Sequence, residues 1–188
     1  MNTYPIGLVP GPVSVPRKIR EAWLTDFGSS DLETEFYDLY AKNQKLVQTL
    51  LGTKESVVIT SGEAMSILWG GVKSALRPGE RLLAVASGLF GEGFADMARA
   101  LGMEAEVVAF PYNDVPDPGK VREAVRRFRP QLVTAVHCET PSGTLNPHLK
   151  GLGEIAREAD ALFLVDFVSS GGGTSVEVDE NFIDIGLL

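Results

Sequence analysis

The chain has 188 residues, 44% of them hydrophobic and 22% charged, a composition that suits one globular core and indicates neither disorder nor a membrane protein. Seventeen Lys and Arg stand against 25 Asp and Glu, a formal charge of -8, so the chain as a whole repels a phosphate backbone and nucleic acid is not an expected partner. No apolar run approaches the roughly 20 residues of a membrane span.

Residues Met1 to Pro16 contain four prolines and read as an extended arm. Met1 to Pro5 carry neither a basic start nor a signal-like apolar stretch, from which a cytoplasmic protein is expected. Residues 17–188 read as a single domain. Phe36, Leu39, Tyr40, Asn43, Leu46, Val47 and Leu50 follow helical spacing, which predicts a long helix from Glu33 to Leu51 stopped by Gly52 and packed on the sheet or on another subunit.

From Val57 onward, short β-rich runs alternate with helical segments, the pattern of repeated βαβ units. Val57-Val58-Ile59-Thr60 is predicted as the first strand. A helix with Ile67, Leu68, Gly71, Val72 and Ala75 on one face follows, then a strand from Leu82 to Ala86. Phe94, Met97, Ala98 and Leu101 stripe the next helix, closed by Gly102, and Glu106 to Phe110 return as a strand. After a polar loop from Pro111 to Gly119 come a helix from Val121 to Arg129 and a strand from Leu132 to Val136. A helix from Leu149 to Ala159 and strands from Leu162 to Val165 and Ile183 to Leu188 complete the series. Arg122, Arg126, Arg127 and Arg129 oppose the apolar face of their helix and read as a solvated surface. One cysteine, Cys138, and two histidines form neither a disulfide nor a zinc site, so no metal is expected.

Four loops fall at predicted strand ends, where an open α/β sheet binds ligands. Thr60-Ser61-Gly62-Glu63-Ala64 offers free N–H groups at a helix start to a phosphate, or else a helix cap by Thr60 or Ser61. It is neither GxGxxG nor a Walker loop, which argues against an ordinary NAD or ATP site. In Ser87-Gly88-Leu89-Phe90-Gly91, Phe90 either stacks on a planar ligand or fills core. In the turn from His137 to Pro147, Thr140 and Ser142 either bond a ligand oxygen or are solvated. Four apolar residues deliver Asp166 to the end of a buried strand, where a carboxylate holds a loop N–H or a protonated ring nitrogen.

Taken in order, Val9-Pro10-Gly11-Pro12, Ser61-Gly62, Gly88-Leu89-Phe90-Gly91, His137-Cys138-Glu139-Thr140-Pro141-Ser142-Gly143 and Val165-Asp166 resemble the class V aminotransferases, of the fold-type I pyridoxal phosphate superfamily. The resemblance implies a three-layer αβα sandwich with a mostly parallel mixed sheet, the large, cofactor-binding domain of that fold. It implies pyridoxal 5'-phosphate as cofactor, with its phosphate at Ser61, Gly62 and Glu63. Glu63 departs from the commoner small residue or histidine, so only its N–H is carried over. Phe90 and Val168 would face the two sides of the pyridine ring, Thr140 would lie near the ring hydroxyl, and Asp166 would pair with the ring nitrogen.

The activity implied is transfer of an amino group from a small amino donor to a 2-oxo acid or aldehyde acceptor, in a homodimer with sites at the subunit interface. Alanine-glyoxylate, serine-pyruvate and 2-aminoethylphosphonate aminotransferases are the groups it is most similar to. In the family a Schiff-base lysine follows the strand that Ile183-Asp184-Ile185 resembles. No lysine occurs after Lys150, so the lysine and the small carboxyl-terminal domain are expected beyond Leu188, and the fragment alone is expected to be inactive. The alternative is a non-catalytic scaffold of the same fold that lacks the lysine.

Overall fold

The computed structural model describes residue 11 and residues 13–26 and 28–188; most of the expected arm lies outside them. The elements in chain order are α1 (Arg17–Ala22), α2 (Thr34–Leu51), α3 (Ala64–Ala75), β1 (Arg81–Ala86), α4 (Leu89–Ala100), β2 (Glu104–Ala109), α5 (Pro118–Phe128), β3 (Leu132–Val136), β4 (Cys138–Glu139), β5 (Thr144–Leu145), α6 (Leu149–Glu158), β6 (Leu162–Asp166) and β7 (Ile185–Leu187).

Five strands form one sheet in the order β2-β1-β3-β6-β7, and every pairing in it is parallel. The antiparallel contribution is a separate two-stranded hairpin of β4 and β5. Because side chains alternate across a strand, β1, β3 and β6 each feed two cores. Leu83, Val85, Val133, Ala135, Phe163 and Val165 pack with Val121, Val125, Leu152 and Ile155 of α5 and α6. Leu82, Ala84, Leu132 and Leu164 pack with Leu68, Val72, Phe94, Met97 and Ala98 of α3 and α4 on the other face. Helices thus cover both faces, which makes the central strands continuous apolar runs.

Local signals set the helix ends. Gly52 closes α2 in the left-handed conformation at φ 61°, where a side chain would be strained. At α5 the Asp117 carboxylate accepts the Gly119 N–H at 2.7 Å and Pro118 occupies the first turn, so the helix begins three residues before the expected Val121. β2 likewise starts two residues earlier than expected, and β7 is shorter than the expected Ile183 to Leu188.

One expected strand is absent. Residues Val57 to Thr60 form no strand, although all four are β-branched, because side chains of α2 take up their backbone groups. The Tyr40 hydroxyl accepts the Ile59 N–H at 2.8 Å and donates to the Ile59 carbonyl at 3.1 Å. Gln44 donates to the Val57 carbonyl and Gln48 to that of Glu55. Val58 is left 78% exposed, so no sheet buries the run.

Candidate functional site

The site is built on the carboxyl edge of the parallel sheet. β6 carries Asp166 to that edge, where the carboxylate is 4% exposed and its Oδ1 accepts the Val168 N–H at 2.9 Å. Burial pushes its pKa up to about 6, the Val168 N–H opposes that rise, and the nearby Glu139 charge adds to it. No ion pair among the described residues includes Asp166. A buried acid held by one amide and lacking a countercharge favours a cationic partner.

The neighbouring strand β3 supplies the second wall. Its continuation, His137, donates its N–H to the Asp166 carbonyl at 2.8 Å, and the His137 carbonyl accepts the Asn146 N–H at 2.8 Å. His137 Nδ1 lies 2.9 Å from Ser170 Oγ, and burial pulls the imidazole below its ordinary pKa. The neutral ring therefore fixes the loop after Asp166. Thr140, just past β4, shares a hydrogen bond with Ser169 Oγ. Asp166, Val168 and Thr140 are thereby tied into one network across two strand ends.

Phe90 enters from the first turn of α4, which follows β1. It is half-buried and lies outside both apolar cores, leaving its ring available to a ligand. Ser61, Gly62 and Glu63 lead into α3 and are exposed. Glu63 is the residue at the start of α3 and makes no side-chain cap, so neither Thr60 nor Ser61 plays the expected capping part. The first N–H groups of an uncapped helix suit an anion. These three residues share no hydrogen bond with the Asp166 network; α3 reaches it through Leu68 and Val72, which share a core with Leu164 and Leu187.

Glu139 is the buried residue beside the site to which the sequence assigned no part. It is 2% exposed, and its Oε1 and Oε2 accept the Phe90 and Gly91 N–H groups at 2.9 and 3.2 Å. A glutamate within a polar turn carries no local sign of burial; only the chain crossing that sets it against Gly88 reveals it. A cavity of about 360 Å³, lined by Arg157, Phe182, Asp184 and neighbours, lies at the opposite, amino edge of β6 and plays no part in this network. Among the described residues no group of His, Cys, Asp and Glu is arranged for a metal, and no helix is long and apolar enough to cross a membrane.

The residues fit pyridoxal phosphate at the ring: a buried carboxylate without a countercharge among the described residues, an accessible aromatic and a hydroxyl. At the phosphate loop the free amides fit, while the Glu63 carboxylate adds negative charge. A parallel sheet that carries these groups at its carboxyl edge is an α/β domain suited to holding such a cofactor.

Comparison with known proteins agrees. The aminotransferase class-V family profile matches residues 21–187, and the chain belongs to that family. It is 31% identical over 179 residues to an uncharacterised aminotransferase of Methanocaldococcus jannaschii, covering 95% of this chain and 46% of that protein. It is 30% identical to the (S)-ureidoglycine–glyoxylate transaminase of Bacillus subtilis, covering 94% and 42%. The solved alanine–glyoxylate aminotransferase of Nostoc superposes with a TM-score of 0.90 at 27% identity, over 99% of this chain and 51% of that one. Pyridoxamine–pyruvate aminotransferase of Mesorhizobium loti superposes at 0.87 with 28% identity, over 95% and 45%. The fold is that of the fold-type I aminotransferases, a family dependent on pyridoxal phosphate, and the chain spans about half the length of the relatives it matches.

Proposed function

We propose that the full-length protein uses pyridoxal phosphate to move an amino group from a small amino donor to a 2-oxo acid or aldehyde acceptor, and that this chain holds most of the cofactor. The observation that carries the reading is Asp166, a buried carboxylate at a strand end with no cation paired to it among the described residues. When bound, the cofactor supplies an electron-withdrawing pyridinium ring. Asp166 keeps the ring nitrogen protonated, because a nearby anion raises the pKa of the conjugate acid.

In this reading Phe90 and Val168 hold the two ring faces, and Thr140 donates towards the ring hydroxyl. The amides of Ser61, Gly62 and Glu63 bind the phosphate at the start of α3, aided by the helix dipole. The neutral His137 and Ser170 keep the Asp166 loop in register. The lysine that bonds the cofactor would follow β7.

The reading includes a homodimer. Trp23, Leu24, Leu32 and Val58 are 78% or more exposed, and this much apolar surface on one chain supports a subunit contact. The reading includes a cytoplasmic location.

The test is spectroscopic. The pure full-length protein should be yellow, lose its visible band on borohydride reduction, and transfer amino groups; Asp166→Asn should lower turnover by orders of magnitude without unfolding it. A pure full-length protein that takes up no pyridoxal phosphate refutes the reading.

A further inference from the structure

Two carboxylates are buried among the described residues, Asp166 and Glu139, and only Asp166 has a part in the chemistry above. No ion pair among the described residues includes Glu139 either. Its two oxygens are spent on the Phe90 and Gly91 N–H groups, which sit at the positive end of the α4 dipole. Burial without such partners would be strongly unfavourable.

The surroundings approach that carboxylate closely. A Cβ on Gly88 would lie 2.6 Å from Glu139 Cδ, and one on Gly91 would lie 2.7 Å from Ala86 Cα. The two glycines that bracket Phe90 therefore serve close approach, one to the acid and one to the end of β1. Glu139 is fixed in turn by the hairpin, where it pairs with Thr144 and its carbonyl accepts the Gly143 N–H at 2.8 Å. Behind it lies a cavity of only about 10 Å³, lined by Ser87, Thr144, Asn146 and others, on the scale of one water molecule. Ser87 Oγ and Asn146 Nδ2 are buried beside it without protein partners.

We propose that Glu139 is a positioning residue for the cofactor ring: its carboxylate clamps the first turn of α4 and so fixes the Phe90 side chain at the ring face. The proposal rests on the reading of Phe90 as the stacking residue. It requires an acid and not merely a polar side chain, since both N–H groups need acceptors. Glutamine keeps the shape but supplies one acceptor and turns an NH₂ against the other N–H.

Two measurements on the full-length protein decide it. In the cofactor-free state, hydrogen exchange at Phe90 and Gly91 should accelerate about tenfold or more in Glu139→Gln, the scale of one hydrogen bond to a charged group. Unchanged protection there overturns the clamp, whether or not the protein binds cofactor.

In equilibrium titration with pyridoxal phosphate, Glu139→Gln should weaken binding about tenfold in the wild-type background and less than about twofold in a Phe90→Ala background, because residues acting through one contact are not additive. An equal loss in both backgrounds means that Glu139 does not act through Phe90, and the proposal fails. Gly88→Ala, which displaces the acid from the opposite side, should reproduce the coupling. A wild-type protein that binds no cofactor refutes the functional reading alone, since the exchange measurement judges the clamp separately.

Discussion

Asp166→Asn should make the cofactor-free protein more stable, and the gain should grow with pH. Burial raises the Asp166 pKa from 3.8 to about 6 in the folded state, so between those values the folded protein holds a proton that the unfolded chain has released. Stability conferred by the neutral acid is complete below about pH 4 and is lost as pH rises through 6. Linkage puts the cost at about 1 to 2 kcal/mol at pH 5 and about 3 kcal/mol at pH 8.

Asparagine carries no charge, and its Oδ1 can still accept the Val168 N–H. The variant should therefore exceed wild type by an amount roughly twice as large at pH 8 as at pH 5. Thermal melts of the cofactor-free full-length protein at the two pH values measure this. Pyridoxal phosphate should reverse the order at pH 8, since a pyridinium returns the missing countercharge to the wild-type site only. A variant whose advantage is the same at both pH values, or which is the less stable at pH 8 without cofactor, refutes the reasoning.

Glu63→Ser should raise affinity for pyridoxal phosphate severalfold while leaving that for unphosphorylated pyridoxal nearly unchanged, and the gain should shrink with added salt; titrations with the two compounds compare them directly. Gly153→Ala should destabilise the protein by about 2 kcal/mol or more, against the usual gain in a helix, because the new Cβ would overlap the Asn181 carbonyl oxygen and lie 3.1 Å from Phe182 Cβ. Arg127→Ala, which removes an exposed ion pair to Glu106 at 2.7 Å, should change stability by less than about 0.5 kcal/mol in chemical denaturation.

The sheet was legible wherever burial is continuous. Leu82 to Ala86, Leu132 to Val136 and Leu162 to Val165 are apolar because helices cover both faces, and such runs declare themselves. Val57 to Thr60 has the same letters and a different fate, since strand identity depends on a ladder partner that no single segment reveals. Asp166 could be singled out because its strand points it at the ligand edge. Glu139 could not, because what makes it structural is an approach by Gly88, some fifty residues away in the chain and adjacent only after β1 and β3 have paired. The hairpin of β4 and β5 was hidden for a related reason: two residues per strand are too few to show an alternation.

Residues 57–60 are held by the side chains of α2 and not by a sheet ladder, and this has a mechanical consequence for the segment they lead into. A strand in register shares any displacement among its neighbours; a run hung from Tyr40 and Gln44 follows one helix alone. Anything that slides or tilts α2, including contact with another subunit along its exposed Tyr37, Leu46 and Leu50, would carry Ser61 and Gly62 with it. The anchor for the anion end of the ligand is in this sense on a lever, while the anchor for the ring end is bolted to the sheet.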